Sequence, residues 1–184
     1  MIGIARSPEP LALAGVRAEK LAAARAASAA GTKIDFSGYE VAKEALAAMQ
    51  QLKCCYCEKR EEQAKYRDVE HYRPKAHYWW LAWTWENLLF ACIDCNRERK
   101  RESFPLSPGD VRLVAEQAPP GTEHPLVLDP SDASKDPTRE IEFRRARFQA
   151  KERWVPHGSR RVGARPSPCA ASIDLPCSTC TPIT

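Results

Sequence analysis

Lys53-Cys54-Cys55-Tyr56-Cys57-Glu58 and, further on, Phe90-Ala91-Cys92-Ile93-Asp94-Cys95-Asn96 decide how this chain folds. Each stretch holds a Cys-x-x-Cys, Cys54 with Cys57 and Cys92 with Cys95, and 34 residues separate the pairs. A Cys-x-x-Cys turn lets two thiolates reach one ion from nearby backbone positions. Two such turns complete the tetrahedron that zinc accepts. A single pair would be weak, because redox motifs share its spacing. Two pairs within an aromatic-rich insert predict a structural Zn2+ on Cys54, Cys57, Cys92 and Cys95. Cys55-x-Cys57 competes with the first pair, and the symmetric spacing favours Cys54. Zinc held this way stabilises a fold by something on the order of 10 kcal/mol, so a module around it needs little core of its own.

The rest of the composition limits the context. The chain has 184 residues, 28% charged, with a formal net charge of +4. That fits one domain, or one domain plus appendages, and is compatible with a polyanionic partner without requiring one. Apolar runs fall far short of the ~18 residues a membrane span needs. The Ala-rich start is interrupted by Arg17, Glu19 and Lys20, which excludes a signal peptide. With no secretory signal, the eight cysteines read as ligands or free thiols rather than a disulfide framework. A cytoplasmic protein with no membrane partner is expected.

Along the chain, residues 1–52 form an N-terminal helical segment. Residues 1–5 could be a short strand. Residues 11–30 favour helix, with Gly31 as the stop. Ser37 and Glu40 form a capping-box pattern before a second helix that runs to about Gln51, with Tyr39, Ala42, Leu46 and Met49 on one face. Residues 53–108 are the cysteine-framed module, with strands expected over 66–72 and 87–91 and a helix from Asn96. Residues 109–150 are an accessory segment. There, 111–117 is a possible short element, 125–130 a short buried strand, and 140–148 strand or helix. From about Trp154 the sequence is rich in Pro, Ser, Arg and Cys, so 151–184 reads as a disordered or degenerate tail, with Cys177 and Cys180 outside the metal site.

The insert between the cysteine pairs contains Val69-Glu70-His71-Tyr72-Arg73-Pro74-Lys75. A carboxylate beside a histidine, followed by a basic turn, suits metal-assisted phosphodiester hydrolysis. Glu70 can hold a hard cation, His71 can take a proton from water, and Arg73 and Lys75 can hold a phosphate. Asn96, directly after the last cysteine, offers a carbonyl oxygen as a second ligand. Asn87, sixteen residues after His71, can bond backbone or imidazole and fix its orientation. Adjacent residues on a regular strand point to opposite faces, so Glu70 and His71 share a site only if the strand ends or bulges there. Asp68 is an alternative ligand. Tyr78, Trp79, Trp80, Trp83 and Trp85 read as the core that packs this insert on the N-terminal helices. In the run Arg97, Arg99, Lys100, Arg101, phosphate contact is assigned to Arg99 and Lys100.

These motifs, with Trp85-Glu86-Asn87-Leu88-Leu89-Phe90 and Phe104-Pro105-Leu106, resemble the HNH endonuclease superfamily. More narrowly, the chain resembles the HNH subunit of Septu-type antiphage systems, also found with some retrons. The resemblance covers roughly residues 1–148. It implies an α+β fold with a ββα-metal core, His71 as general base, and Glu70 as ligand to a catalytic Mg2+ or Mn2+. Asn87 would be the central Asn. Asn96 takes the third motif position, where many relatives have His, and Arg99 stands where Lys is common. An ABC/SMC-like ATPase partner is implied, with DNA or RNA as substrate. The 151–184 stretch departs from that pattern and reads as frameshifted or degenerate. Two other functions stand beside the nuclease: a non-catalytic zinc module that binds nucleic acid or protein, and a redox protein.

Overall fold

The computed structural model describes residues 3–136, 139, 141–148 and 151–158. The Ala-rich segment forms α1 (Leu11–Ala29), as its propensities dictate. Gly31 ends it at φ +64°. The Gly31 and Thr32 N–H groups return to the Ser28 and Ala27 carbonyls, the paired closure that a left-handed glycine permits. Gly38, at φ +99°, then turns the chain into a short 3-10 segment, Tyr39–Ala42, that runs on into α2 (Lys43–Met49). The expected capping box does not form. Glu40 accepts from the Gly38 N–H at 2.7 Å, while the Ser37 hydroxyl donates to Asp35 at 2.6 Å. The cap position thus moves one residue on, to a glycine with no side-chain acceptor.

β1 (Arg67–His71) and β2 (Leu88–Cys92) pair antiparallel, from Arg67 opposite Cys92 to His71 opposite Leu88. Helix α3 (Asp94–Lys100) follows at once, wound with the wider i→i+5 turn, and Arg101 at φ +49° ends it. The order β1-β2-α3 is the expected ββα order. All five residues of β2 are buried, and its alternation divides the core. Leu88 and Phe90 pack with Leu13, Leu46, Val69, Trp83 and Trp85. Leu89 and Ala91 pack with Tyr56, Tyr72, Tyr78, Trp80 and Phe104. The aromatic cluster is therefore core. Its indole N–H groups are satisfied by backbone: Trp80 by Gln117, Trp83 by Ser37 and Trp85 by Ser7. Gln50, buried at the end of α2, pairs its amide with both backbone groups of Phe90 and so fastens the helix to β2.

Three local expectations change. No strand forms over 3–5; Ile4 is instead held by its N–H on the Pro130 carbonyl at 2.7 Å. Residues 125–130 make a single bridge, Leu106 to Pro125, rather than a strand, because the flanking prolines remove ladder donors. The accessory segment ends in β3 (Ile141–Phe148), which pairs antiparallel with β4 (Lys151–Gly158). The boundary drawn at 150 therefore cuts a hairpin. The second strand, Lys-Glu-Arg-Trp-Val-Pro-His-Gly, lacks the apolar alternation that announces a strand, although Trp154 and Val155 favour one. The remaining tail, with Cys177 and Cys180, lies outside the described residues. Among the described residues no helix is long and apolar enough to cross a membrane.

Candidate active site

The first cysteine pair sits on a tight turn. Lys53 bridges Arg60, the Cys54 N–H donates to Lys59, and the Glu58 N–H donates back to Cys54. The second pair straddles the junction of β2 and α3. These elements bring the sulfurs of Cys54, Cys57, Cys92 and Cys95 within 4.8 Å of one another. Cys57 Sγ and Cys92 Sγ are 3.8 Å apart, the edge of a tetrahedron with bonds of about 2.3 Å to a central zinc. Cys55, fully buried, is not in the group. Sulfurs this close compete for protons. Hydrogen bonds from Cys55, Cys57 and Cys92 hold the Cys54 thiol well below its ordinary value, and the same contacts with Cys54 push Cys57 and Cys92 up. Four sulfurs at this spacing fit zinc, which these cysteines would hold as a structural ion.

His71 is the last residue of β1, where the pairing ends. Beyond it Asn87 grips the chain: the Tyr72 N–H donates to the Asn87 carbonyl at 2.9 Å, and the Arg73 N–H to Asn87 Oδ1 at 2.8 Å. Because the strand stops there, Glu70 and His71 line the same cavity of about 460 Å³, with Tyr39, Lys75, Asn96, Arg97 and Arg101. His71 Nε2 lies 3.0 Å from the Ala82 carbonyl. A carbonyl only accepts, so Nε2 carries the hydrogen and Nδ1 keeps a free lone pair. Burial, together with Lys75 and Lys100, lowers the imidazole to about 3, against a weaker upward pull from Ala82. The ring is therefore neutral near pH 7. Asn87 does not touch it. Its amide donates to the Arg73 and Leu81 carbonyls at 3.0 and 3.1 Å, fixing the loop whose next residue, Ala82, bonds the imidazole.

Glu70 is 1% exposed. Its Oε1 accepts from Lys100 Nζ at 2.6 Å and from the Tyr56 hydroxyl at 2.9 Å. Burial raises the carboxyl, and Lys100 and Tyr56 pull it back. Both contacts fall on Oε1, which leaves Oε2 for a ligand. Asn96 donates its amide to Asp68 at 3.2 Å and to the Val69 carbonyl at 3.4 Å, so its carbonyl oxygen is the atom left over. One carboxylate oxygen and one amide oxygen, with water and phosphate completing the shell, suit a hard divalent cation. Asp68 is the poorer candidate. Arg97 takes both its oxygens, at 2.6 and 2.7 Å.

Two of the four expected phosphate contacts, Lys100 and Arg73, are buried and paired. Lys100 is fully buried, bound to Glu70 and, at 2.8 Å, to the His71 carbonyl. Arg73 is buried too. Its Nε donates to Glu123 at 3.0 Å, and its guanidinium lies against Tyr72 and Phe104. Arg99 is half-buried on α3 and does not line the cavity. Lys75 does line it, as do Arg97 and Arg101, both exposed. The basic run pointed to those two arginines, but not to which of its members face the cavity. Tyr39, also on the wall, reads from the sequence as part of an apolar helix face.

The HNH endonuclease family model matches residues 54–102. The chain is 32% identical over 165 residues to Septu protein PtuB of Bacillus mycoides (strain KBAB4), covering 78% of this chain and 55% of that protein. It is 47% identical over 58 residues to Septu protein PtuB of Bacillus thuringiensis, covering 31% of this chain and 23% of that one. The match thus spans about half the length of the first relative and a quarter of the second. No solved structure matches. From the first cysteine pair through α3, residues 54–102 form an HNH endonuclease-family domain, in a chain homologous to Septu protein PtuB.

Proposed function

We propose that this chain is a metal-dependent nuclease that hydrolyses phosphodiester bonds of DNA or RNA as the effector of an antiphage defence complex. The observation that carries the reading is the shared cavity of His71, Glu70 and Asn96, with the imidazole tautomer set by Ala82. His71 Nδ1 takes a proton from water, whose oxygen attacks phosphorus as the bond from phosphorus to the leaving sugar oxygen breaks. Glu70 Oε2 and the Asn96 side-chain carbonyl would hold Mg2+ or Mn2+. Such an ion, when bound, stabilises charge on the leaving oxygen. Lys75, Arg97 and Arg101 offer cations to the phosphates. Asn87 positions the loop that orients the base. The similarity to Septu PtuB supports the defence setting, and an ABC/SMC-like ATPase is the partner we propose for it. A retron-linked setting is the narrower variant. The test is cleavage of labelled DNA and RNA by the full chain with its proposed ATPase partner, with Mg2+ or Mn2+ and with chelator. His71→Ala should abolish cleavage while zinc stays bound. A complex that cleaves neither substrate under any of these conditions refutes the reading.

A second reading is a non-catalytic zinc module that binds nucleic acid or a partner. The observation in its favour is the pairing of Glu70 with Lys100, which neutralises the carboxylate a second metal would use. It predicts nucleic-acid binding that neither Mg2+ nor the His71→Ala change affects.

A further inference from the structure

We infer that Tyr39, which lies outside the HNH domain, is a positioning residue of the nuclease centre, acting on His71 through its ring and on Lys75 through its hydroxyl. The inference rests on the nuclease reading above. The Tyr39 ring meets the His71 ring edge-on, with centroids 4.6 Å apart and planes at 86°. A single hydrogen bond at Nε2, on the far side of the ring from its attachment, leaves an imidazole free to spin about that line. A perpendicular ring packed against it removes that freedom and fixes the direction of Nδ1.

The hydroxyl serves a different partner. Lys75 Nζ donates to Tyr39 Oη at 2.6 Å and lies 4.3 Å from the centre of the same ring. The phenol oxygen therefore accepts from the ammonium and fixes where Lys75 presents its charge to a phosphate oxygen. Tyr39 also lines a second hollow of about 340 Å³, with Lys43, Asp68, Asn96 and Arg97. It thus borders both the His71 cavity and this adjoining hollow.

The placement of Tyr39 is well supported. Gly38 takes the left-handed conformation, and a side chain there would meet Lys20 Cε at 3.2 Å. Lys20 bonds Ser37 and Asp35, and the Trp83 indole donates to the Ser37 carbonyl. The turn that carries Tyr39 is therefore held from α1 on one side and from the HNH insert on the other. Residues 54–102 alone would lack this wall.

The test uses the full chain with its ATPase partner on labelled DNA and RNA, comparing wild type with Tyr39→Phe, Tyr39→Leu, Lys75→Met and the Tyr39→Phe/Lys75→Met double variant. Tyr39→Phe keeps the ring, so kcat should stay near wild type while KM rises roughly tenfold, the cost of one hydrogen bond to a charged group. Tyr39→Leu removes the ring, so kcat should fall by about tenfold to a hundredfold, the size of effect that a slightly misplaced catalytic group produces. The double variant should match Lys75→Met in KM, because the hydroxyl acts through Lys75. A purely structural tyrosine would give no such split. Zinc content and a thermal melt report whether Tyr39→Leu folds; if it does not, the Phe variant and the double-variant cycle decide alone. Unchanged kcat and KM in Tyr39→Phe and Tyr39→Leu, or additive KM effects in the double variant, would overturn the assignment while the nuclease reading stands. A wild-type complex that cleaves nothing overturns both.

Discussion

Lys100 Nζ lies 2.6 Å from Glu70 Oε1, with both side chains out of water. Lys100 is the last residue of α3 and Glu70 the penultimate residue of β1, so the pair joins helix to strand across the base of the cavity. A buried pair of this kind gives little net stability, because desolvating both charges is costly. Removing one partner is worse, since the other is left buried and unpaired. Lys100→Met should therefore destabilise the fold by about 3–5 kcal/mol in denaturant unfolding. Adding Glu70→Gln should recover a good part of that loss. If the double variant is no more stable than Lys100→Met, the ion pair is not what holds α3 against β1.

The cysteine cluster predicts one zinc per chain. Its removal should cost something on the order of 10 kcal/mol, as much as the whole stability of a typical domain. Chelation should thus unfold residues 54–102 rather than loosen them, with loss of the near-ultraviolet signal from the buried tryptophans. Cys92→Ser should behave as the chelated protein does. Cys55→Ser should keep full zinc by metal analysis, because Cys55 is outside the four-sulfur group. Zinc lost in Cys55→Ser and retained in Cys54→Ser would reverse the assignment of the first knuckle.

The cysteine-framed half of this fold was legible because spacing and chemistry act together there. Two Cys-x-x-Cys turns leave few ways to arrange four sulfurs, and the density of aromatics in the insert favoured core over stacking on bases. The basic residues were not legible. In the run Arg97, Arg99, Lys100, Arg101, the facing direction depends on helical pitch. α3 is wound wider than an α-helix, so the usual 3.6-residue period assigns its faces wrongly and Lys100 turns inward. Arg73 was misread for another reason. Its partner Glu123 is fifty residues away on a loop with no periodic signal. Tyr39 was hidden because a tyrosine at helical spacing with Ala42 and Leu46 reads as core. Only the tertiary contact with His71 distinguishes it.

Asn87 acts on backbone, and that can be measured without any substrate. It accepts one hydrogen bond from the Arg73 N–H and donates to the Arg73 and Leu81 carbonyls. Asn87→Ala should cost about 2–4 kcal/mol, since it leaves buried peptide groups unpaired. Asn87→Asp is the sharper variant. It is nearly isosteric and can still accept from Arg73, but it presents a carboxylate to two carbonyl oxygens and buries a charge. It should be at least as destabilising as alanine in equilibrium unfolding. An Asp variant close to wild type would mean that acceptance from Arg73 is the whole role of Asn87.

His71 gives the fold a predictable acid sensitivity. Its imidazole is held at about 3 in the folded chain, chiefly by burial, against 6.5 for the free group. Between those values the unfolded chain binds a proton that the folded chain refuses. The contribution of His71 is therefore intact above about pH 6.5 and falls away as the pH drops toward 3. The slope is at most about 1.4 kcal/mol per pH unit. The cysteines also lose zinc in acid, so wild type alone does not isolate the effect. His71→Asn, which keeps the cysteines and can still donate to the Ala82 carbonyl, supplies the reference. Unfolding free energies of the two proteins, measured with zinc and without added magnesium from pH 7.5 to 4.5 (a range of about three units around the imidazole's ordinary value), should converge as the pH falls. Wild type should lose stability faster below about pH 6.5. Parallel curves across that range would mean that the folded imidazole takes up its proton as the unfolded one does, so that burial does not hold it down.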